Sequence, residues 1–327
     1  MPDPPPQSSR PAKRTAFDCL RRGFLSTRAN WGLVPLGILQ NLLFTLLALL
    51  SLLPPFLVLG GMALLERDWS GPGFEEWLAG LDELVAAALG PLALAVVASV
   101  LIGLLAVVVW GWFQGGILGV LLAAERQALP GAEGRPGGWR WFRTLSLRDF
   151  AGWGGRHVWR FFWFFHLSLA VACVFALLVV LLILGAIMGQ EAWGGGAALG
   201  IGCGGALPLF FGLVVYALWN ATAQPAVALE GSGPLRGAAL GLRIVGRRLG
   251  ASLLVGLVVL VLSFGVGLAF SMGQLSLDVL LRDRFAVWLA AYGLASLVQW
   301  FLSVVLTIYG LASFTSLVAA EAAEGTR

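Results

Sequence analysis

Apolar residues in this chain gather in long unbroken runs, not in the period-two alternation of half-buried strands. Six runs stand out, at 33–60, 84–113, 161–187, 197–220, 251–271 and 286–310. Each is long enough to cross a hydrocarbon layer, which takes roughly 20 helical residues for ~30 Å. The expected fold class is all-α: a polytopic integral membrane protein with six transmembrane helices. Two runs carry internal punctuation. Pro54 and Pro55 predict that the first helix bends or ends there, because proline has no N–H to give to the helix. The second run continues almost uncharged to Ala124, so it must tilt, kink or leave the bilayer, with Gly111, Gly115, Gly116 and Gly119 as the obvious places.

The polar stretches between the runs differ in charge. The N-terminal tail, the 124–160 and 221–250 connections and the C-terminal tail carry 18 of the 21 basic residues and 8 of the 17 acidic ones. The stretches 66–83, 188–196 and 272–285 carry 3 basic and 9 acidic residues. Arginine-rich short loops stay in the cytoplasm. Both termini are therefore expected inside, which needs an even number of spans and agrees with six. The tally leaves no charge near a bilayer centre, where proton relays and voltage sensors keep theirs.

The chain also repeats itself. Val120-Leu-Leu-Ala-Ala-Glu125, Pro225-Ala-Val-Ala-Leu-Glu230 and Ser316-Leu-Val-Ala-Ala-Glu321 close the second, fourth and sixth runs. The segments from Gly23, Phe150 and Gly241 open the first, third and fifth in matching register. This gives three pseudo-repeats, 15–125, 139–230 and 234–321, each an arginine-bearing interfacial helix followed by a helix pair. They make one membrane domain, 15–322, between a Pro/Ser-rich tail at 1–14, expected to be disordered, and a short tail at 323–327. The 234–249 segment is the clearest interfacial helix. Leu235, Ala238, Leu242, Val245 and Leu249 share one face, and Arg236, Arg243 and Arg247 form a stripe at its edge, placed to meet lipid headgroups. Gly233, Gly237 and Gly241 form a small-residue ladder on the same element, and Gly111, Gly115 and Gly119, and Gly196, Gly200 and Gly204, form two more.

Composition excludes most other classes. Of 327 residues 59% are hydrophobic and only 12% charged, with a mean hydropathy of +0.88. An average soluble domain carries about twice that share of charge. No ordinary nucleic-acid-binding face is expected. The three cysteines, Cys19, Cys173 and Cys203, form no CxxC and read as small buried hydrophobes. Neither His157 nor His166 has a carboxylate on its face within a turn, and no HExxH, GxSxG or Walker loop occurs. The chain is thus read as non-enzymatic, with no cofactor or metal. The acidic group Glu66, Asp68, Glu75, Glu76, Asp82 and Glu83 lacks calcium-loop spacing and reads as a solvated face.

What remains in the spans is polar but neutral. Gln114, Asn220, Gln224, Gln299 and Tyr309 either bond helix to helix or line a cavity. Trp139, Trp141, Trp153, Trp159 and Trp163 crowd one interface, as an aromatic belt or as a surface for a partner.

The run from Pro225 to Gly250, with Glu230, then Gly233-Pro234, then Arg247-Arg248, resembles a motif of bacterial six-helix membrane domains. Those domains accompany glycerophosphodiester phosphodiesterases or stand alone with unassigned function. Gly241 and Ile244 stand where that pattern often has Ser and Trp. The resemblance implies a six-span plan in the bacterial cytoplasmic (inner) membrane, and no hydrolase activity, since no phosphodiesterase domain lies in this sequence. The expected role is a scaffold, accessory subunit or membrane-maintenance factor, with membrane lipids or another membrane protein as partners. The alternative is a facilitator or exporter of a lipid or other amphiphile through a neutral polar cavity.

Overall fold

The computed structural model of the protein describes residues 14–65, 74–128, 137–229, 233–281 and 284–325. Among them are eight α-helices and no strand: α1 Ala16–Ala29, α2 Leu33–Leu65, α3 Phe74–Gln127, α4 Leu147–Trp193, α5 Gly195–Ala228, α6 Pro234–Arg247, α7 Leu249–Leu280 and α8 Phe285–Gly325. A 3₁₀ turn covers Gly138–Phe142. Six of the helices, α2, α3, α4, α5, α7 and α8, are long and apolar enough to cross a membrane. They match the six apolar runs and overrun their ends.

Local chemistry accounts for the helix boundaries. Thr15 caps α1 in a reciprocal box with Asp18: its hydroxyl accepts from the Asp18 N–H, and the Asp18 carboxylate accepts from the Thr15 N–H at 2.8 Å. Ser146 caps α4 in the same position relative to Asp149. Pro234 opens α6, where its missing N–H costs nothing. Gly194, at φ 81°, sits between α4 and α5 in a conformation that disfavours a side chain.

Both punctuated runs form continuous helices. Pro54 and Pro55 do not end the first span, since α2 runs through both to Leu65. Transmembrane helices tolerate proline where local adjustments satisfy the freed carbonyls. The glycines of the second run do not interrupt α3, which is one helix from Phe74 to Gln127.

The chain divides into two compact units, Leu39–Gly111 and the remainder. In the first, Gln40 is buried and its amide donates to the Trp110 carbonyl at 3.4 Å. In the second, α4 packs along α5, α5 against α6, and both α1 and α7 against α8. The core of this second unit joins Cys19 and Leu20 of α1, Leu218 and Ala226 of α5, Ile244 and Val245 of α6, Val255 of α7 and Phe314, Leu317 and Val318 of α8. These residues lie where α5 and α8 end and α7 begins. Leu178, Leu181, Leu207, Phe210, Leu260 and Phe264 are exposed on the long helices, as surfaces facing hydrocarbon are. Residues 1–13, 66–73 and 230–232 lie outside the described residues. They include most of the predicted tail, Glu66, Asp68 and the repeated Glu230. The side chains of Glu75, Glu76, Asp82 and Glu83 lie outside them as well.

Candidate functional site

Two buried ion-pair clusters tie the end of a long helix to a short one. Glu125, in the last turn of α3, accepts from Arg22 Nε at 3.0 Å and Arg14 Nη1 at 2.9 Å. The Arg22 and Glu125 side chains are each 1% exposed, while Arg14 is 28% exposed and also donates to the Ser316 carbonyl and hydroxyl. The Arg22 guanidinium lies over the Phe142 ring at 4.9 Å. At the end of α8, Glu321 accepts from Arg248 Nε at 2.7 Å and lies 3.5 Å from Arg247 Nη1. Arg248 is buried between α6 and α7, whereas the Arg247 side chain is 65% exposed. Near Glu230, which is outside the described residues, Arg160 of α4 donates to the Leu229 carbonyl at 3.3 Å.

Small residues let the same segments approach closely. A Cβ on Gly23 would meet the Ser313 backbone of α8 at 2.8 Å. On Gly241 it would meet the Ala223 backbone of α5 at 2.6 Å, and on Gly237 the Val227 backbone at 2.7 Å. The start of α4 is seated in the same way on α3: Gly116 faces Phe150, Gly119 faces Trp153, and Gly154 lies against the Trp112 carbonyl. Of the α3 ladder expected at Gly111, Gly115 and Gly119, Gly115 and Gly119 receive α4, as does Gly116 between them. The ladder on α6 is a packing surface at Gly237 and Gly241, with Gly233 open. That at Gly196, Gly200 and Gly204 faces open space, which corrects the expectation that it packs. Packing glycines on α5 are Gly205, against Leu182, and Gly212, against Phe175.

The face of α6 also needs restating. Gly237, Ala238, Gly241, Ile244 and Val245 are buried, but Leu235 is 71% exposed, and Leu242 and Leu249 are exposed with it. Glycine draws the α6 backbone onto α5 and turns the leucines outward. Thr222 Oγ1 donates to the Gly241 carbonyl at 3.1 Å and Trp219 Nε1 to the Ala238 carbonyl at 2.9 Å, which fixes the seating. Arg236, Arg243 and Arg247 are all exposed on α6, as the stripe predicts.

The polar residues singled out within the spans are brought together only in part. Gln114 is buried, and its amide donates to Gln224 Oε1 at 2.5 Å, joining α3 to α5. Asn220 Oδ1 accepts from Ser168 of α4 at 3.4 Å, and Ser168 also bonds the Tyr216 hydroxyl. Tyr309 packs half-buried against the core, with its carbonyl taking the Ser313 hydroxyl. Gln299 is half-buried ten residues earlier on α8, where its carbonyl accepts from Ser303.

The aromatic shelf separates into layers. Phe142, Phe150, Phe161 and Phe164 are fully buried. Trp139 and Trp153 are half-buried; Arg28 lies over the Trp139 ring at 5.5 Å, and Trp153 stacks on His157. Trp141, Trp159 and Trp163 are exposed.

Sequence reasoning missed two features. The first is the pairing of Glu125 and Glu321, whose repetition was visible but was read as a boundary mark. The second is Asn30: its amide donates to the Phe142 carbonyl at 2.7 Å, and its Oδ1 accepts from the Thr144 and Leu145 N–H groups, so one buried side chain fastens α1 to the stretch before α4. Cys19 is buried in the core, as expected of a small hydrophobe, and desolvation pushes its thiol up to about 11. Cys173 and Cys203 are exposed, contrary to the expectation that they are buried. The Asp18 carboxyl is held below its ordinary range, first by the Thr15 backbone N–H and then by the Thr15 hydroxyl. Among the described residues no three His, Cys, Asp or Glu side chains gather at one point. No family model, curated protein or solved structure matches the chain.

Proposed function

We propose that the protein is a non-enzymatic multi-pass membrane scaffold or accessory subunit, built as three pseudo-repeats with both termini in the cytoplasm. The observation that carries this reading is the use of the polar intramembrane side chains. Gln114 donates to Gln224 across α3 and α5, and Asn220 accepts from Ser168 across α5 and α4. Side chains bonded from helix to helix hold a bundle together. A passage for an amphiphile needs them turned toward one shared space.

The repeat reading draws support from cyclic order. The first interfacial segment, α1, rests by glycine on the last span and is ion-paired to Glu125 of its own repeat. The third, α6, rests by glycine on α5 of the preceding repeat, and Arg247 and Arg248 at its end pair with Glu321 of their own. The second, at the start of α4, rests on α3 of the preceding repeat, and Arg160 reaches the end of its own α5. Each segment thus bridges two repeats and the ring closes on itself. The exposed tryptophans Trp141, Trp159 and Trp163 are the surface for a partner or for headgroups in this reading.

Single cysteines at Gln114, Asn220 and Tyr309, treated in native membranes with a water-soluble maleimide, test it. Protection at all three is expected. Rapid labelling at all three would replace the scaffold by the cavity reading. Reporter fusions test the orientation separately, and a cytoplasmic reporter at 66–83 would reverse it.

A further inference from the structure

A groove of about 530 Å³ lies between α4, α5 and α6. Phe175, Gly212, Val215, Tyr216, Ala239 and Leu242 are among its lining residues, and its wall is almost wholly apolar. The space exists because side chains are missing from it. A Cβ on Gly212 would fall 2.8 Å from the Phe175 ring, and α6 contributes alanines where it faces the groove. From Trp219, bonded to α6, to Gly212 the groove follows two turns of α5, ~10 Å at 1.5 Å per residue. That is the shape of an acyl-chain slot, in the size range of small-molecule sites.

Two arginines of α6 flank a residue of the slot. Ala239 lines the slot, and Arg236 and Arg243 stand three residues before and four after Ala239, its neighbours on the helix surface. Both arginines are exposed, and neither is drawn into the Glu321 cluster that takes Arg247 and Arg248. Leu235 and Leu242 point outward beside them, so α6 offers an apolar edge and a cationic edge side by side. We infer that this groove is a binding site for an anionic phospholipid, with one acyl chain against Gly212 and Phe175 and the phosphate between Arg236 and Arg243. The inference rests on the interfacial placement of α6 in the reading above, and it names a lipid for that surface.

The test uses the full-length protein in nanodiscs of phosphatidylcholine with one tenth phosphatidylglycerol. One of the two lipids at a time carries a photoactivatable diazirine in its acyl chain. Phosphatidylglycerol is expected to label peptides of α4, α5 and α6 around residues 171–175, 212–219 and 238–242. Each arginine near an anionic lipid is worth about fivefold in affinity. Arg236→Gln with Arg243→Gln is therefore expected to remove most of the preference over phosphatidylcholine. Ala239→Trp fills the groove from an exposed position and is expected to cut its labelling severalfold. Leu260→Trp, on an exposed flank of α7, leaves it unchanged. Labelling spread evenly over the exposed flanks of α4, α5 and α7, or unaltered by Ala239→Trp, overturns the site while leaving the scaffold reading intact. Equal labelling by both lipids overturns the anionic preference. Labelling of the long helices but none of α6 overturns its interfacial placement as well.

Discussion

Glu125 is the residue whose loss the fold should feel most. It anchors Arg22 in a site where both side chains are 1% exposed, so Glu125→Ala leaves a guanidinium buried without its anion. Breaking a buried pair from one side costs about 3–5 kcal/mol, because the surviving charge has lost both water and partner. Arg14 contributes far less: at 28% exposure its pairing is screened, and exposed pairs are worth roughly 0.2–1 kcal/mol. The expected order of destabilisation is therefore Glu125→Ala well above Arg14→Gln. Replacing both buried partners, as Arg22→Met with Glu125→Leu, should return stability to within about 1 kcal/mol of the parent, since the one charge that loses its partner is then Arg14, which reaches water. The measurement is reversible SDS unfolding in mixed micelles, followed by far-UV circular dichroism. A loss of 4 kcal/mol shifts the unfolding constant by about a thousandfold, well above the error of such titrations. If the double variant is as unstable as Glu125→Ala alone, the stranded charge is not what matters. If Arg14→Gln matches Glu125→Ala, the burial argument fails outright.

Other expectations follow from single contacts. At Glu321, Arg248→Ala should cost several times more than Arg247→Ala, because Arg248 is buried and Arg247 is 65% exposed; the same unfolding assay decides it. Gly241→Leu should lift α6 from α5 and expose it to limited proteolysis, since overpacking costs ~1–3 kcal/mol even where side chains can yield and here backbone stands in the way, whereas Gly246→Ala, with open space around it, should be neutral or slightly stabilising. In detergent near pH 8, N-ethylmaleimide should modify Cys203 and Cys173 long before Cys19, whose buried thiol ionises only near pH 11, and mass spectrometry of the peptides reads the order. The thiol's raised value means its contribution to stability is intact below pH 9 and is lost as pH rises through about 11. Asp18 has the opposite sign: its lowered value makes the α1 cap stabilising above the ordinary carboxylate range and lost as pH falls through its folded value, and Thr15→Ala should cost about 1 kcal/mol at neutral pH and less in acid.

The six long helices were legible because a bilayer leaves the chain one economical solution, and uninterrupted apolar runs report it directly. Smaller features were legible only where pattern and partner coincide. Small residues at four-residue spacing occur at Gly233, Gly237 and Gly241 and again at Gly196, Gly200 and Gly204. In the first set Gly237 and Gly241 receive α5; the second faces open space. Spacing states that a close approach is allowed, but it cannot state that another helix arrives. The charge tally was silent on pairing. It assigned Glu125 and Glu321 to connections by position in sequence, yet Arg22 meets Glu125 across 103 residues and Arg248 meets Glu321 across 73. Such pairing is a tertiary event, and only the repeated glutamate hinted at it. The groove had no signal at all, because a missing side chain at Gly212 means something only once Phe175 stands opposite.

These features have a location in common. The caps, ion pairs, glycine seats and buried core of the larger unit gather where α1 and α6 pack, while the described residues toward Gly194 and Asp278 are largely exposed apolar surface. The groove proposed for a lipid lies beside α6, whose backbone is held to α5 by Thr222, Trp219 and two glycine contacts. A wall fixed in advance by such contacts lowers the ordering cost of binding, which is what a site needs if it is to select one headgroup from a bilayer full of competing chains.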